Sequence, residues 1–559
     1  MDVWGSRRFR VRGVMAIAGA AALVMGLGAC GIAGNDNDPQ SVVDHFAGLL
    51  DKKDAAGAAQ LTSYPNGAED TLKQMFGSLN GGKPDYRVVQ YIPLDKSTAN
   101  FNMKATWNFG PGKEWDYDLH GTVRKLAIGW RISWDPTVVI PQLDASRTVK
   151  LVRTEATPSP KVNDSSGALL MSEQTINAIK VDPAQTTDLV GTTNRLADVI
   201  SVVAPLITGP SLMQQLSTSQ GKPVDAVRLR ADDFAVLESK LTSIPGVVVD
   251  KQPTLITSDR RIWSPLLDAY KKVWQENRDA HAGWGIQVFG PDGAMVTQLA
   301  GQQGPPGPDI AGTLDNKLQR AAEDAVVSVG TAASIVAIQP STGAIVAAAQ
   351  NNQASEQGNP AFTNAYPVGG MSELFKAVEA QEKGKQPQEI TAVSDVAQGA
   401  AQLGVGIGFK VDGLDETTGH LPIGGRGVEA VHQGSTDPIT ASPLGMAIAA
   451  ATIARGSVAP PMIEIGRPGT TDADLKPLDP AVVDRLRRLL TDGVGSDELT
   501  TVRHYAGVIA YDGIAGSAGW LIANMGDLAF AIHIDDVDSG DATARMAARL
   551  LRSLATPDQ

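Results

Sequence analysis

The chain holds a single cysteine in 559 residues. A chain with one thiol cannot close an internal disulfide, so no disulfide framework is available and Cys30 needs another reason to be there. Histidine is also scarce. The seven histidines are scattered with no pair at metal-ligand spacing, so no metal site is expected; no cofactor is expected either. No lysine- or arginine-rich run occurs beyond the N-terminus, and the net charge is −13, which argues against nucleic acid as the main partner. The apolar run over residues 14–27 is too short to span a bilayer as a helix. There is no Gly-x-Ser-x-Gly nucleophile elbow and no dinucleotide fingerprint.

What remains is a large chain of ordinary globular composition, 43% hydrophobic and 19% charged. Its length exceeds what one core can hold and predicts three or four domains. Arg7, Arg8, Arg10 and Arg12 precede the apolar run, as the n-region of an export signal precedes its h-region. The run ends in Leu-Gly-Ala-Cys-Gly over residues 27–31, which resembles a lipobox. Residues 1–29 therefore read as a lipoprotein signal peptide, with cleavage before Cys30 and a diacylglyceryl group on its thiol. The plainer alternative is a stray thiol in a signal that is simply removed. Loss of residues 1–29 leaves 44 basic and 60 acidic side chains, a net charge of −16. The expected product is an acidic protein anchored by lipid to the outer face of the cytoplasmic membrane.

Residues 30–37 form a short polar tether. Asp38 and Pro39 read as helix N-cap and first helical position, followed by an apolar stripe of Val42, Val43, Phe46, Leu49 and Leu50. A second short helix is expected over residues 54–61. Strand-like runs follow at residues 86–92, 99–109, 115–126 and 129–134, with Trp115, Tyr117 and Leu119 alternating with Asp116 and Asp118. Helices followed by a curled antiparallel sheet predict a small α+β cone over residues 38–145. Gly82-Lys83-Pro84 mimics a phosphate-binding loop, but Pro84 replaces the hydroxyl residue and a helix precedes it, so it reads as a turn. Residues 146–310 are mixed, with breaker-rich linkers at residues 157–160 and 304–308 and a helix expected over residues 263–276.

The third part, residues 311–559, is organised around Tyr-Pro-Val-Gly-Gly-Met-Ser-Glu-Leu-Phe-Lys at residues 366–376. It is a Gly-rich lead-in to a helix that places Ser372 and Lys376 one turn apart. Before it, two apolar runs around a Pro-Ser-Thr-Gly turn at residues 340–343 predict a hairpin buried on both faces. Residues 313–351, then Ala-Ser-Pro-Leu-Gly-Met at 441–446 and Gly-Asp-Leu-Ala-Phe-Ala-Ile at 526–532, resemble fixed parts of a penicillin-binding transpeptidase domain. Residues 38–145 resemble the NTF2-like extension that precedes some of these domains. The whole is similar to a class B penicillin-binding protein lipoprotein. That resemblance implies an α+β multidomain fold: an NTF2-like cone, a mixed pedestal of the dimerisation-domain kind, and a serine β-lactamase-like α/β transpeptidase domain.

The family's chemistry rests on three motifs around one cleft, and all three are altered here. The first is Ser-x-x-Lys, in which the amine takes the proton of the nucleophilic hydroxyl. Aligned from Tyr366, Gly370 stands where the Ser belongs and Glu373 where the Lys belongs. Only a one-residue slip leaves Ser372 and Lys376 as a pair, at i, i+4, which still shares a helix face. The plainer reading makes Ser372 a helix N-cap and Lys376 a solvated cation. The second motif, Ser-x-Asn, has only Ser394-Asp395-Val396 as a remnant, in a segment shortened to the 27 residues between Lys376 and Gly404. The third, Lys-Thr-Gly, is replaced by Tyr511, Asp512 and Gly513, where Asp512 would repel a substrate carboxylate. Ser219-Gln-Gly-Lys222 is a literal Ser-x-x-Lys in a loop-like segment, and His432 reads as a packed loop residue.

The resemblance therefore implies a D,D-transpeptidase of peptidoglycan synthesis, and the residues imply that its catalysis is lost. The expected role is a membrane-tethered scaffold that binds peptidoglycan or cell-wall synthesis proteins. A live transpeptidase using Ser372 and Lys376 is the alternative, and an interaction module working through the cone is a third reading.

Overall fold

The computed structural model describes residues 38–429, 439–536 and 541–555. The expected signal peptide and tether, Cys30 and His432 lie outside the described residues. Contacts divide the chain into two compact units, the chain through Val152 with Trp284–Gly301, and Arg153–Gly283 with everything from Gln302 onward.

The first unit begins with helix Pro39–Asp51, capped by the Asp38 carboxylate, which accepts from Ser41 N at 3.1 Å. Its stripe is buried at Val42, Val43, Phe46 and Leu50. Helices Ala55–Gln60 and Pro65–Ser78 follow. Four strands, Lys83–Pro93, Thr98–Asn108, Glu114–Leu126 and Gly129–Ile132, form an antiparallel sheet in chain order. Alternation sets which face goes inward. Trp115 and Leu119 are buried, while Asp116 and Asp118 are exposed. The phosphate-loop mimic is a turn into the first strand, as its helix-first context requires. A three-stranded sheet completes the unit, with Gly283–Phe289 between Met295–Gln302 and Thr148–Thr154, and places Trp284 and Ile286 in the same core.

In the second unit, the long strand Leu169–Val181 pairs antiparallel with Val224–Arg230 and Val247–Thr257. Helices Leu189–Ile200, Gly209–Thr218 and Ala231–Thr242 close a small core of their own around Leu196, Leu212 and Leu237. Helix Leu266–Ala280 starts three residues later than the sequence pattern indicates, because Pro265 precedes it.

The rest of this unit is built on a five-stranded antiparallel sheet. Its order is Ala344–Gln350, Ala333–Gln339, Leu528–Ile534, Ala518–Met525, Val508–Ala515. The expected hairpin is its first two strands, joined through Gly343, whose φ is 84°. Period-2 alternation divides the sheet's side chains between two cores. Ile335, Ala337, Leu521, Phe530 and Ile532 pack with helices Asn316–Val326 and Ala542–Ala555. Val336, Ile338, Trp520, Ile522 and Ala531 pack on the other side with helices Ser372–Glu382 and Pro443–Arg455. The Ala-Ser-Pro-Leu-Gly-Met segment has a structural explanation. Ser442 caps the second of these helices by accepting from Gly445 N at 2.9 Å, and a Cβ on Gly445 would overlap the Thr418 carbonyl.

Candidate functional site

Residues 366–376 run along the Val508–Ala515 edge of this sheet. Tyr366 and Pro367 make a two-residue strand, Gly369–Met371 forms a 3-10 turn, and Ser372 begins the α-helix. The lead-in is held from the core side. Trp520 Nε1 donates to the Pro367 carbonyl at 2.9 Å, and the Tyr366 ring stacks on His533 at 3.8 Å between centroids. Trp520 in turn lies 4.4 Å from His533. Burial pushes His533 down to about 3, so the imidazole is a neutral packing element here.

The turn meets the edge strand backbone to backbone. Gly369 has a φ of 50°, and a Cβ there would lie 2.3 Å from the Ile514 carbonyl oxygen. A Cβ on Gly370 would lie 3.2 Å from Gly513 Cα, and one on Gly513 would lie 2.9 Å from Met371 N. Gly370, where the transpeptidase resemblance expects a nucleophilic serine, thus carries no side chain and is packed on Gly513.

Ser372 and Lys376 do come together in one place. Both line a cavity of about 600 Å³, along with Gly369, Thr391, Val393 and Ala515. Their chemistry is not coupled. Lys376 Nζ donates to Glu373 Oε1 at 2.7 Å, an i, i+3 pair on the same helix. Among the described residues no hydrogen bond joins Ser372 to Lys376. An ammonium donating to a carboxylate is not placed to take a hydroxyl proton. Ser372 is the first helical residue and not the N-cap, because the preceding 3-10 turn runs straight into the helix. Lys376 is paired and 27% exposed, so it is not the solvated cation of the plainer reading.

The other two motif positions have structural roles. Asp395, in helix Val393–Gln402, pairs with Lys383 at 2.7 Å, and Lys383 also reaches the buried Glu379 at 3.1 Å. Tyr511 packs against the same core as the Ser372 helix. Burial pushes its phenol up, and Glu373 and Asp512 add to the shift. Asp512 shares its strand face with Ala510, which belongs to the opposite core, and it does not line the cavity. Burial raises its carboxyl, with Glu498 raising it further. The literal Ser219-Gln-Gly-Lys222 lies at a helix C-terminus, where Ser219 Oγ donates to the Leu216 carbonyl at 2.9 Å.

Glu373 is the residue sequence reasoning undervalued. Its i, i+3 spacing to Lys376 was the available signal. Glu416 had no comparable signal. It is half-buried, and neither carboxylate oxygen has a hydrogen-bond partner among the described residues. Burial, then the nearby Glu429 charge, pushes it up to about 8; the Phe409 N–H pulls weakly the other way without reaching hydrogen-bond geometry.

The family model described as the NTF2-like N-terminal transpeptidase domain matches residues 38–147. The first unit carries that domain. The NTF2-like domain gives the α+β multidomain fold its N-terminal member. No curated protein matches the chain. Among the described residues, no helix is long and apolar enough to cross a membrane, and no group of three or more His, Cys, Asp or Glu could hold a metal ion.

Proposed function

We propose that this protein is a non-acylating relative of the penicillin-binding transpeptidases, working at the cell wall as a tethered binding or scaffolding protein. The NTF2-like domain supports the family. The observation that carries the loss of chemistry is the state of the lysine: Lys376 is held by Glu373 at 2.7 Å, while Gly370 occupies the serine position. Without a base aimed at a hydroxyl, the barrier to acyl transfer loses the contribution of general-base activation, about 10²–10⁴-fold in rate. The fold then serves to present surfaces, to peptidoglycan or to wall-synthesis proteins.

A second reading, a live serine acyltransferase, has one observation in its favour. Ser372 and Lys376 share one cavity. Incubation with a fluorescent penicillin separates the two. The expected result is no covalent label; a label that disappears in Ser372→Ala establishes the enzyme instead.

Anchoring is part of the proposal, through diacylglyceryl on Cys30. Cys30→Ser is expected to shift the protein from the membrane fraction to the soluble extracytoplasmic fraction. Unchanged fractionation of that variant would remove the lipoprotein claim.

A further inference from the structure

The four-stranded sheet of the first unit ends in an apolar tip that its own core does not explain. Strands Lys83–Pro93 and Thr98–Asn108 turn at one end of the sheet, and strands Glu114–Leu126 and Gly129–Ile132 turn at the same end. The two turns lie side by side. Thr98 pairs with Arg124, and Lys125 N donates to the Ser97 carbonyl at 2.8 Å. Ile92 and Leu94 are exposed at the first turn, Leu126 and Ile128 at the second, with Leu94 57% and Ile128 68% exposed. Apolar side chains scattered singly over a surface need no explanation, but four on adjoining turns do. Leu126, Ala127 and Ile128 are consecutive and all exposed, so this turn is apolar around its tip rather than along one face. Cations flank these side chains. Lys96, Arg124 and Lys125 are exposed, and none of them makes an ion pair or a side-chain hydrogen bond among the described residues. The one acid in the two turns, Asp95, accepts from Ser97 N at 2.7 Å and from Ser97 Oγ at 2.8 Å.

In a chain of net charge −13, a tip with three unpaired cations and one acid reverses the overall sign locally. We propose that this tip docks on an anionic lipid bilayer, with Leu94, Leu126 and Ile128 entering the boundary between headgroups and acyl chains and Lys96, Arg124 and Lys125 meeting the headgroups. Interfacial binding of this kind draws on buried apolar area and on attraction to anionic lipid together, and the tip supplies both within a few residues. A soluble polyanion would match the cations and leave the apolar side chains in water. A fitted protein surface would match one face of the tip and leave the rest exposed, whereas a fluid acyl region takes apolar side chains on every side. The proposal goes beyond the binding role inferred above. It stands whether or not Cys30 carries lipid and whether or not the Ser372 cavity is catalytic.

Cys30 is the only thiol, so the full-length variant Cys30→Ser/Ile128→Cys takes a nitrobenzoxadiazole label at the tip alone. Titration with vesicles of phosphatidylglycerol and phosphatidylcholine in equal parts is expected to shift its emission to the blue, and phosphatidylcholine alone is not. The same label at Val236, a 78% exposed position of the other unit, is expected not to shift. Adding Lys96→Glu/Arg124→Glu/Lys125→Glu to the tip-labelled protein is expected to weaken the apparent vesicle affinity about tenfold or more. Raising the salt from about 0.05 M to about 0.5 M is expected to weaken it similarly, and this decides the role of the cations if the charge-reversed protein does not fold. No blue shift at position 128, an equal shift at position 236, or a shift that salt leaves unchanged overturns the proposal. A shift of the same size with soluble dextran sulfate also overturns it and assigns the tip to a polyanion.

Discussion

Two titratable side chains of the second unit run against their ordinary protonation, and each gives stability a pH dependence of known sign. Glu416 is raised from 4.5 to about 8. Between those values the folded protein keeps a proton that the unfolded chain has released, so this residue lowers stability as pH rises. Glu416→Gln should therefore raise the melting temperature at pH 8 by several degrees and change it little at pH 5. Equal shifts at the two pH values would show that Glu416 is not protonated in the fold. His533 works in the opposite sense. Its folded value, about 3, lies below the 6.5 of the free side chain, so the unfolded chain gains a proton first as pH falls. The protein loses stability from pH 6.5 downward, and His533→Phe should lose less over pH 6.5 to 4.5 in urea melts. Neither residue was legible in the sequence. An isolated Glu and an isolated His give no pattern, and both shifts come from burial that only the fold creates.

At the scale of elements, the decisive contact is the 3-10 turn against the edge strand. Gly513→Ala places a methyl 2.9 Å from Met371 N and 3.0 Å from the Gly370 carbonyl carbon, so backbone must move. Overpacking of this kind costs about 1–3 kcal/mol, read as a lower urea midpoint. Gly77→Ala serves as the contrast, since nothing lies within 4 Å of its added methyl and helix propensity favours it. A lower midpoint for both, or for neither, would deny the turn–strand contact its role. The elements themselves were largely legible. The strand at residues 115–126 follows period 2 and the stripes at residues 42–50 and 546–551 follow period 3.6, while the continuous apolar runs on either side of the turn at residues 340–343 mark a hairpin buried on both faces. The start of the helix at Ser372 was not, because a 3-10 turn and an N-cap leave similar traces in sequence. Nor could the sequence show that Asp512 shares the face of Ala510, away from the Ser372 cavity, since the placement of the strand in the sheet decides which side each residue takes.

For the whole molecule, the sequence led to an NTF2-like N-terminal domain, and residues 38–147 carry one. The role of the remainder rests on one cavity in which a serine and a lysine meet without being joined, because a glutamate three residues from the lysine holds it first. The surface pair is worth under about 1 kcal/mol, so it matters for where the amine points and little for stability. The most direct test is intact mass spectrometry of the full-length protein after prolonged incubation with excess benzylpenicillin. The account predicts an unchanged mass. A stoichiometric penicilloyl adduct mapped to Ser372 would contradict it.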